Sequence, residues 1–142
     1  MRLTQHFSLE EMSVTQVRGV DNTPPSVLWE TLRSTAKGME EVRDLLGQPV
    51  LITSGYRSPE VNKVVGGAKN SAHLTGHAAD FICPAFGSPK QVAQAIAASD
   101  IKFDQLIWED ETWVHISFDP RFRQQVLTKR RGVAGYQKGI VA

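Results

Sequence analysis

The stretch that organises the chain reads Ser-Ala-His-Leu-Thr-Gly-His-Ala-Ala-Asp, residues 71–80. It places two imidazoles and a carboxylate at the start of an apolar, strand-like run that continues through Phe81-Ile82-Cys83. An acidic side chain inside such a strand is costly to bury unless it is paired or bound to a metal. We therefore expect Asp80 to have a functional partner close by.

A further imidazole lies on a second strand-like segment, Trp113-Val114-His115-Ile116-Ser117. Two histidines and one carboxylate with an open fourth position are the ligands of a catalytic zinc site. We predict that His73, Asp80 and His115 bind one Zn²⁺ ion. Gly76 interrupts a helix between His73 and His77, so a loop that bends at Gly76 is favoured, and His77 is predicted to line the cleft instead of binding the metal.

The turn Asp110-Glu111-Thr112 predicts a β-hairpin between residues 105–109 and 113–118. Its register would set Glu109 opposite Trp113 and make Glu109 a diagonal neighbour of His115 on one face of the sheet. A carboxylate there could accept a proton from water that the metal activates. An exposed charge at the end of a strand is the alternative, and the residues alone do not decide between the two.

The remaining patterns predict an α+β fold in which a small antiparallel sheet, with its hairpin in the C-terminal half, packs against helices. Ser8 and Glu11 form a capping box that predicts a short helix to about Val17. Apolar residues at helical spacing predict a longer helix that stops at Gly47. The other predicted elements are strands at 50–53 and 78–83, a brief helix at 59–65 and a helix at 88–98.

Length and composition favour one domain that spans residues 1–142, with a formal charge of +1. Cys83 is the only cysteine, so no intramolecular disulfide can form. The N-terminus lacks the apolar core of a signal peptide, and no stretch is long enough to span a bilayer. We expect synthesis in the cytoplasm, no membrane insertion and a monomer.

The segment 121–142 is basic, with six cationic residues and no acidic one: Arg121, Arg123, Lys129, Arg130, Arg131 and Lys138. We predict a solvated C-terminal tail there. The alternatives are a docking patch for an anionic cell-wall polymer or phosphate and, as a separate class of function, a nucleic-acid-binding domain. No nucleic-acid partner is expected.

Three motifs together resemble the LAS zinc metallopeptidases, the D-alanyl-D-alanine carboxypeptidase and hedgehog-like group that acts on bacterial cell-wall peptides. They are Ser54-Gly55-Tyr56-Arg57-Ser58, Ser71-x-His73-x-x-Gly76-x-Ala78-x-Asp80 and Trp113-x-His115. The opening residues 3–11 are similar to phage and prophage members. The resemblance implies that Arg57 contacts the substrate carbonyl or stabilises the charge that develops on it, and that Tyr56, Ser71, His77 and Trp113 help to bind substrate. For Ser71, orienting a metal ligand or capping a turn is the alternative, and for Trp113 it is packing within the hairpin.

The chain departs from this pattern at one catalytic position. In the carboxypeptidase and dipeptidase branches a glutamate three residues before the last histidine acts as the base, whereas here that residue is Thr112. The role then falls to Glu109, with Asp110 or Glu111 as substitutes.

The function implied by the resemblance is zinc-dependent hydrolysis of peptide bonds in peptidoglycan stem peptides. The enzyme would be a D-alanyl-D-alanine carboxypeptidase or an endolysin-type endopeptidase. A non-catalytic zinc-binding module that recognises the cell wall is the alternative. Such a protein would act on the cell wall or in the periplasm, after phage-mediated release or as part of a virion.

Overall fold

One six-stranded sheet forms the centre of the fold in the computed structural model, which describes residues 1–141; Ala142, the last residue of the predicted domain, lies outside the described residues. The strands are β1 (Leu51–Ser54), β2 (Ala78–Ile82), β3 (Gln105–Glu109), β4 (Trp113–Ser117), β5 (Gln125–Lys129) and β6 (Gln137–Lys138). Their order across the sheet is β1-β2-β4-β3-β5-β6. All neighbours are antiparallel except β3 and β5, which run parallel.

Three α-helices accompany the sheet, α1 (Trp29–Leu46), α2 (Pro59–Val64) and α3 (Pro89–Ala97), with short 3₁₀ turns at Glu11–Ser13 and Ser26–Leu28. The predicted apolar stripe of α1 is buried, and the helix ends at Gly47, whose amide donates to the Arg43 carbonyl at 2.8 Å. Among residues 1–141, no helix is both apolar and long enough to cross a bilayer. The predicted α+β class is confirmed.

The two faces of the sheet do different work because side chains alternate along each strand. One face packs on α1 and α3 and forms the core through Ala79, Phe81, Leu106, Val114 and Ile116. The residues between these positions, Asp80 on β2 and His115 on β4, therefore point to the opposite face. That face forms the floor of the candidate site.

The predicted N-terminal helix is shorter than expected. Ser8 and Glu11 do form the capping box, with the Glu11 amide donating to Ser8 Oγ and the Ser8 amide donating to Glu11 Oε1, each at 3.1 Å. Beyond Ser13, however, the backbone is extended, because the carbonyls of Met12 and Val14 accept hydrogen bonds from the amides of Tyr56 and Gly55. The prediction of a helix to Val17 was wrong, because hydrogen bonds to the chain after β1 replace those that a helix would form within the segment.

The basic C-terminal segment is more ordered than the predicted tail, although four of its cationic residues are exposed: Arg121, Arg123, Arg131 and Lys138. Within this segment, β5 pairs with β3 along its whole length, from Gln105–Gln125 to Glu109–Lys129. The anchor is Asp104, which is 1% exposed and accepts hydrogen bonds from the Arg123 amide and guanidinium at 2.8–3.0 Å. This ion pair fixes the entry of the chain into β5.

Replacing Asp104 with Asn should make the thermal stability of the protein less dependent on pH in the acidic range. The hydrogen bond from the Arg123 guanidinium outweighs burial and holds the pKa of Asp104 well below its usual range. A depressed folded-state pKa stabilises the protein above the unfolded value of about 3.9 and loses that effect as the pH falls. In thermal denaturation series from pH 7 to pH 2, the variant should melt several degrees below the wild type at pH 7, and the gap should narrow below about pH 4.

The matched control is Asp100→Asn, because Asp100 is exposed. At every pH, the melting temperature of this variant should be nearly the same as that of the wild type. A gap between Asp104→Asn and the wild type that stays constant down to pH 2 would contradict the assignment.

Candidate metal centre

Three buried side chains meet at one point on the open face of the sheet. His73 Nε2 lies 3.2 Å from Asp80 Oδ1, and His115 Nδ1 lies 3.0 Å from the same oxygen. One ligand atom from each residue lies within 4.8 Å of the other two. His73 is 2% exposed, Asp80 5% and His115 8%. We call these residues the His–Asp–His group.

The backbone brings these residues together from separate parts of the chain. Asp80 and His115 are direct partners in the ladder between β2 and β4. His73 comes from the loop before β2, where Gly76 has a φ of +81° and turns the chain toward the strand. The Thr35 hydroxyl donates to the Gly76 carbonyl at 2.6 Å and ties this loop to α1. The predicted loop geometry, with His73 and His77 not sharing a helix, agrees with this arrangement.

A backbone carbonyl orients the ring of His73. His73 Nδ1 lies 2.8 Å from the Gly55 oxygen, in a buried contact. Since only a protonated Nδ1 can donate to a carbonyl, Nε2 keeps its lone pair and faces Asp80. Gly55 is required because a Cβ at this position would lie 2.0 Å from the Met12 oxygen.

The protonation states suit a cation. Burial works against ionisation of Asp80, but the hydrogen bond and charge of the adjacent His115 imidazole hold its pKa well below the usual range. Burial lowers the pKa of His73, so this ring is neutral near pH 7. For His115, the hydrogen bond and charge of Asp80 overcome burial and raise the pKa. Metal binding there would displace a proton, as is usual for imidazole ligands.

The donor set fits zinc in type and spacing. Two imidazole nitrogens and one carboxylate oxygen are typical zinc ligands, at about 2.0–2.2 Å from the ion. Tetrahedral ligands at that distance are about 3.3 Å apart, since the edge of a tetrahedron is about 1.6 times its radius. The observed contacts of 3.0 and 3.2 Å to Asp80 Oδ1 are close to this spacing. The His–Asp–His group can thus hold one zinc ion.

A cleft of about 880 Å³ opens in front of the group. Arg57 and His77 line it near the group, and Glu109 and Trp113 line it on the hairpin. The Arg57 guanidinium donates to Asp80 Oδ2 at 3.4 Å and to Asn62 Oδ1 at 3.3 Å. A metal site with an arginine and a carboxylate in the same cleft is suited to polarising a carbonyl and moving a proton beside it.

Comparison with known proteins identifies the family. The family model described as Peptidase M15 matches residues 5–117. The chain belongs to the peptidase M15 family. It is also 37% identical over 70 residues to the zinc D-Ala-D-Ala carboxypeptidase of Streptomyces albus G. That alignment covers 49% of this chain and 26% of the relative, so the similarity concerns about a quarter of the relative's length. The resemblance inferred from the three motifs is confirmed.

The other residues predicted for this M15 site differ in their placement. Arg57, Ser71, His77 and Trp113 line the cleft. Ser71 Oγ also accepts a hydrogen bond from the His73 amide at 3.2 Å, which stabilises the loop that carries this ligand. Tyr56 was predicted to bind substrate, but it is 5% exposed, belongs to the core and does not line this cleft. In extended backbone, adjacent residues point to opposite sides, so Arg57 in the cleft places Tyr56 inside.

Among the candidates for the base, Glu109 has the most suitable position. The hairpin register is as predicted, with Glu109 opposite Trp113 and Ile107 opposite His115. Glu109 is half-buried in the cleft, and burial raises its pKa. Asp110 lines the cleft 4.0 Å from Arg131, whereas Glu111 is exposed, pairs with Arg130 at 3.0 Å and does not line the cleft.

Sequence reasoning missed the contributions of Gly55, Lys129 and Tyr136. Gly55 supports His73 through its carbonyl, a role that leaves no side-chain signal. Lys129 and Tyr136 line the cleft from residues that were interpreted as a solvated tail. The apolar and β-branched run Val126-Leu127-Thr128 was the signal that could have indicated a strand there.

Removing the carboxylate should remove the metal. The wild-type protein is expected to bind about one zinc ion per chain, and Asp80→Ala should bind less than a tenth of that after dialysis, because two imidazoles alone leave the site one anionic ligand short. Elemental analysis by mass spectrometry measures the content. His77→Ala is the control and should retain full zinc, since His77 Nδ1 contacts Thr75 and not the His–Asp–His group. Equal zinc loss in both variants would refute the assigned ligand set.

Gly55→Ala should weaken zinc binding without touching a ligand. The added Cβ would collide with the Met12 carbonyl and displace the oxygen that orients His73. Loss of such a support costs about 10–100-fold in metal affinity. Competition with a chromogenic chelator measures the affinity, with Ser54→Ala as the neighbouring control. Unchanged affinity in a folded Gly55→Ala protein would show that the carbonyl does not position the ring.

Proposed function

We propose that this protein is a zinc-dependent peptidase that hydrolyses peptide bonds in the stem peptides of bacterial peptidoglycan. The observation that carries the proposal is the His–Asp–His group at the base of a cleft that also contains Arg57 and Glu109. Membership of the M15 family and the similarity to a zinc D-Ala-D-Ala carboxypeptidase support this substrate class. The reaction would be that of a carboxypeptidase or of an endolysin-type endopeptidase.

In this proposal His73, Asp80 and His115 hold the zinc ion. The bound ion supplies Lewis-acid chemistry, which polarises a carbonyl and makes water a nucleophile near neutral pH. The protein fixes the geometry in advance, since Gly55 orients His73 and the β2–β4 ladder orients Asp80 and His115. Little reorganisation is then needed when a peptide binds.

Arg57 would bind the carbonyl oxygen of the scissile bond. Two of its nitrogens already donate to Asp80 Oδ2 and Asn62 Oδ1, which hold the guanidinium plane in place at the edge of the cleft. A guanidinium has five N–H donors, so donors remain for a substrate oxygen. Such a donor stabilises negative charge as it develops on that oxygen.

Glu109 would move the proton. As a carboxylate it accepts a proton from the attacking water, and it then gives this proton to the amine of the departing residue. A general base is most effective when its pKa is near the working pH, and burial raises the pKa of Glu109 in that direction. Glu109 thus takes the role of the glutamate that the carboxypeptidase and dipeptidase branches have at the position of Thr112.

A non-catalytic zinc-binding module is the second candidate. The observation that favours it is the exposed Thr112 at the position of the usual glutamate. In either case we infer that the protein acts as a monomer on the cell wall or in the periplasm, reaching it by phage-type release or within a virion, and that it binds no nucleic acid.

Glu109→Gln separates the two candidates. In the peptidase, kcat for a defined muropeptide should fall by about 10²–10⁴-fold, because an amide cannot accept the proton, while zinc content stays unchanged. Mass spectrometry of the products gives the rate, and a chelator should abolish it. Glu111→Gln, an isosteric change on the same turn outside the cleft, should cleave at the wild-type rate. Cleavage by Glu109→Gln at that rate would overturn the role of Glu109, and no cleavage by the zinc-loaded wild type would favour the module.

A further inference from the structure

The C-terminal segment, residues 118–141, builds a side of the cleft that the family match does not include. The matched residues end at 117, the last residue of β4, whereas β5 and β6 extend the sheet beyond β3. Four residues of this segment are cationic and line the cleft: Arg121, Lys129, Arg130 and Arg131. Part of the cleft wall is therefore built by residues that lie outside the family match.

One row of side chains crosses the sheet beside the proposed base. Trp113 pairs with Glu109, and Glu109 pairs with Lys129 across the parallel ladder. Tyr136 immediately precedes Gln137, which pairs with Thr128, so it continues the row next to Lys129. All four members of the row line the cleft. Lys129 and Tyr136 thus lie on the side of Glu109 that is opposite to Trp113.

Lys129 differs from the other cations of this segment in its partners. Arg121 pairs with Asp119 at 3.0 Å, Arg130 with Glu111 at 3.0 Å and Arg131 with Asp110 at 4.0 Å. The Lys129 ammonium contacts only the carbonyl oxygens of Arg130 and Val133, and within residues 1–141 no carboxylate lies within 4.0 Å of it. These two carbonyls hold the ammonium in position, and its third N–H is available to a ligand.

Tyr136 adds a neutral donor next to this charge. The residue is 57% exposed at the cleft, so its ring is accessible to a substrate. Burial of part of the side chain, together with the charge of Glu109, raises the pKa of Tyr136 and keeps the phenol protonated. An ammonium and a hydroxyl from neighbouring positions of one cleft wall can together bind a carboxylate.

We propose that Lys129 and Tyr136 form a subsite for the free C-terminal carboxylate of the peptide substrate, so that the protein removes a terminal residue and does not cut between cross-linked stems. This inference rests on the proposed peptidase function and names its substrate class. Neighbouring strands are about 4.8 Å apart, and one residue of an extended peptide spans about 3.5 Å. The distance from Glu109 to the subsite therefore corresponds to one or two residues of the bound substrate. The carboxylate that this subsite binds is therefore that of the C-terminal residue, which hydrolysis releases.

The test compares a stem peptide ending in D-alanyl-D-alanine with its C-terminal amide. The zinc-loaded wild type should cleave the acid with a kcat/KM about 10–100-fold above that of the amide, the usual effect of a hydrogen bond to a charged group. In Lys129→Gln this preference should disappear, because KM should rise much more for the acid than for the amide. Tyr136→Phe should show a smaller loss of the same kind.

Lys138→Gln is the matched control, since Lys138 is an exposed lysine on β6 that does not line the cleft. It should keep the full preference for the acid. Thermal melting and zinc content verify that each variant is folded and loaded. Equal cleavage of acid and amide by the wild type, or an unchanged preference in Lys129→Gln, would overturn the subsite.

A binding measurement keeps the subsite testable if hydrolysis fails. In the zinc-loaded Glu109→Gln protein, calorimetry should show tighter binding of the acid than of the amide, and Lys129→Gln in this background should abolish the difference. Lack of turnover by the wild type would then count against the peptidase function alone. A third peptide with diaminopimelate in the stem adds a carboxylate away from the peptide terminus. If Lys129→Gln affected binding of that peptide only, the assignment to the terminal carboxylate would be wrong.

Discussion

The buried carboxylate of Asp80 is the constraint on which the rest of the molecule depends. A charge inside an apolar sheet is costly unless its lone pairs are used. Oδ1 of Asp80 faces His73 and His115, while Oδ2 faces Arg57. These partners come from a loop, from β4 and from the chain after β1. Satisfying one carboxylate therefore fixes the relative positions of three parts of the chain that are far apart in sequence.

The same strand serves the core and the site because its side chains alternate. Ala79 and Phe81 are fully buried against the helices, and Asp80 between them points into the cleft. A shift of β2 by one residue would exchange the two sets and expose Phe81. Packing of the core thus enforces the register that the metal site requires. A site on the central strands of a packed sheet is held more rigidly than one on loops.

Local sequence patterns predicted the site better than its surroundings. The cost of burying Asp80 and the length of the hairpin turn were sufficient to bring His73, Asp80, His115 and Glu109 to one face. These signals act over a few residues. The pairing of β5 with β3 depends instead on the contact of Asp104 with Arg123, 19 residues apart, and on a parallel ladder that leaves no turn signature. Likewise, the helix predicted after Ser8 does not extend, because the amides of Gly55 and Tyr56 bind the carbonyls of that segment. No local sequence pattern specifies these distant residues.

The absence of a glutamate at position 112 does not remove a carboxylate from the cleft, because side chains from the turn and from the partner strand of a hairpin can reach the same space. Thr112 is exposed in the turn before β4 and its amide donates to the Glu109 carbonyl at 2.9 Å, whereas Glu109 ends the adjacent strand opposite Trp113. In a two-strand ladder, a residue and its diagonal neighbour are about 5–8 Å apart, within the reach of a glutamate side chain. Glu109 on β3 is such a neighbour of His115 on β4. Moving the carboxylate from the turn to the partner strand would thus preserve its relation to the last metal ligand and free the turn to pair, through Asp110 and Glu111, with the basic residues of the C-terminal segment.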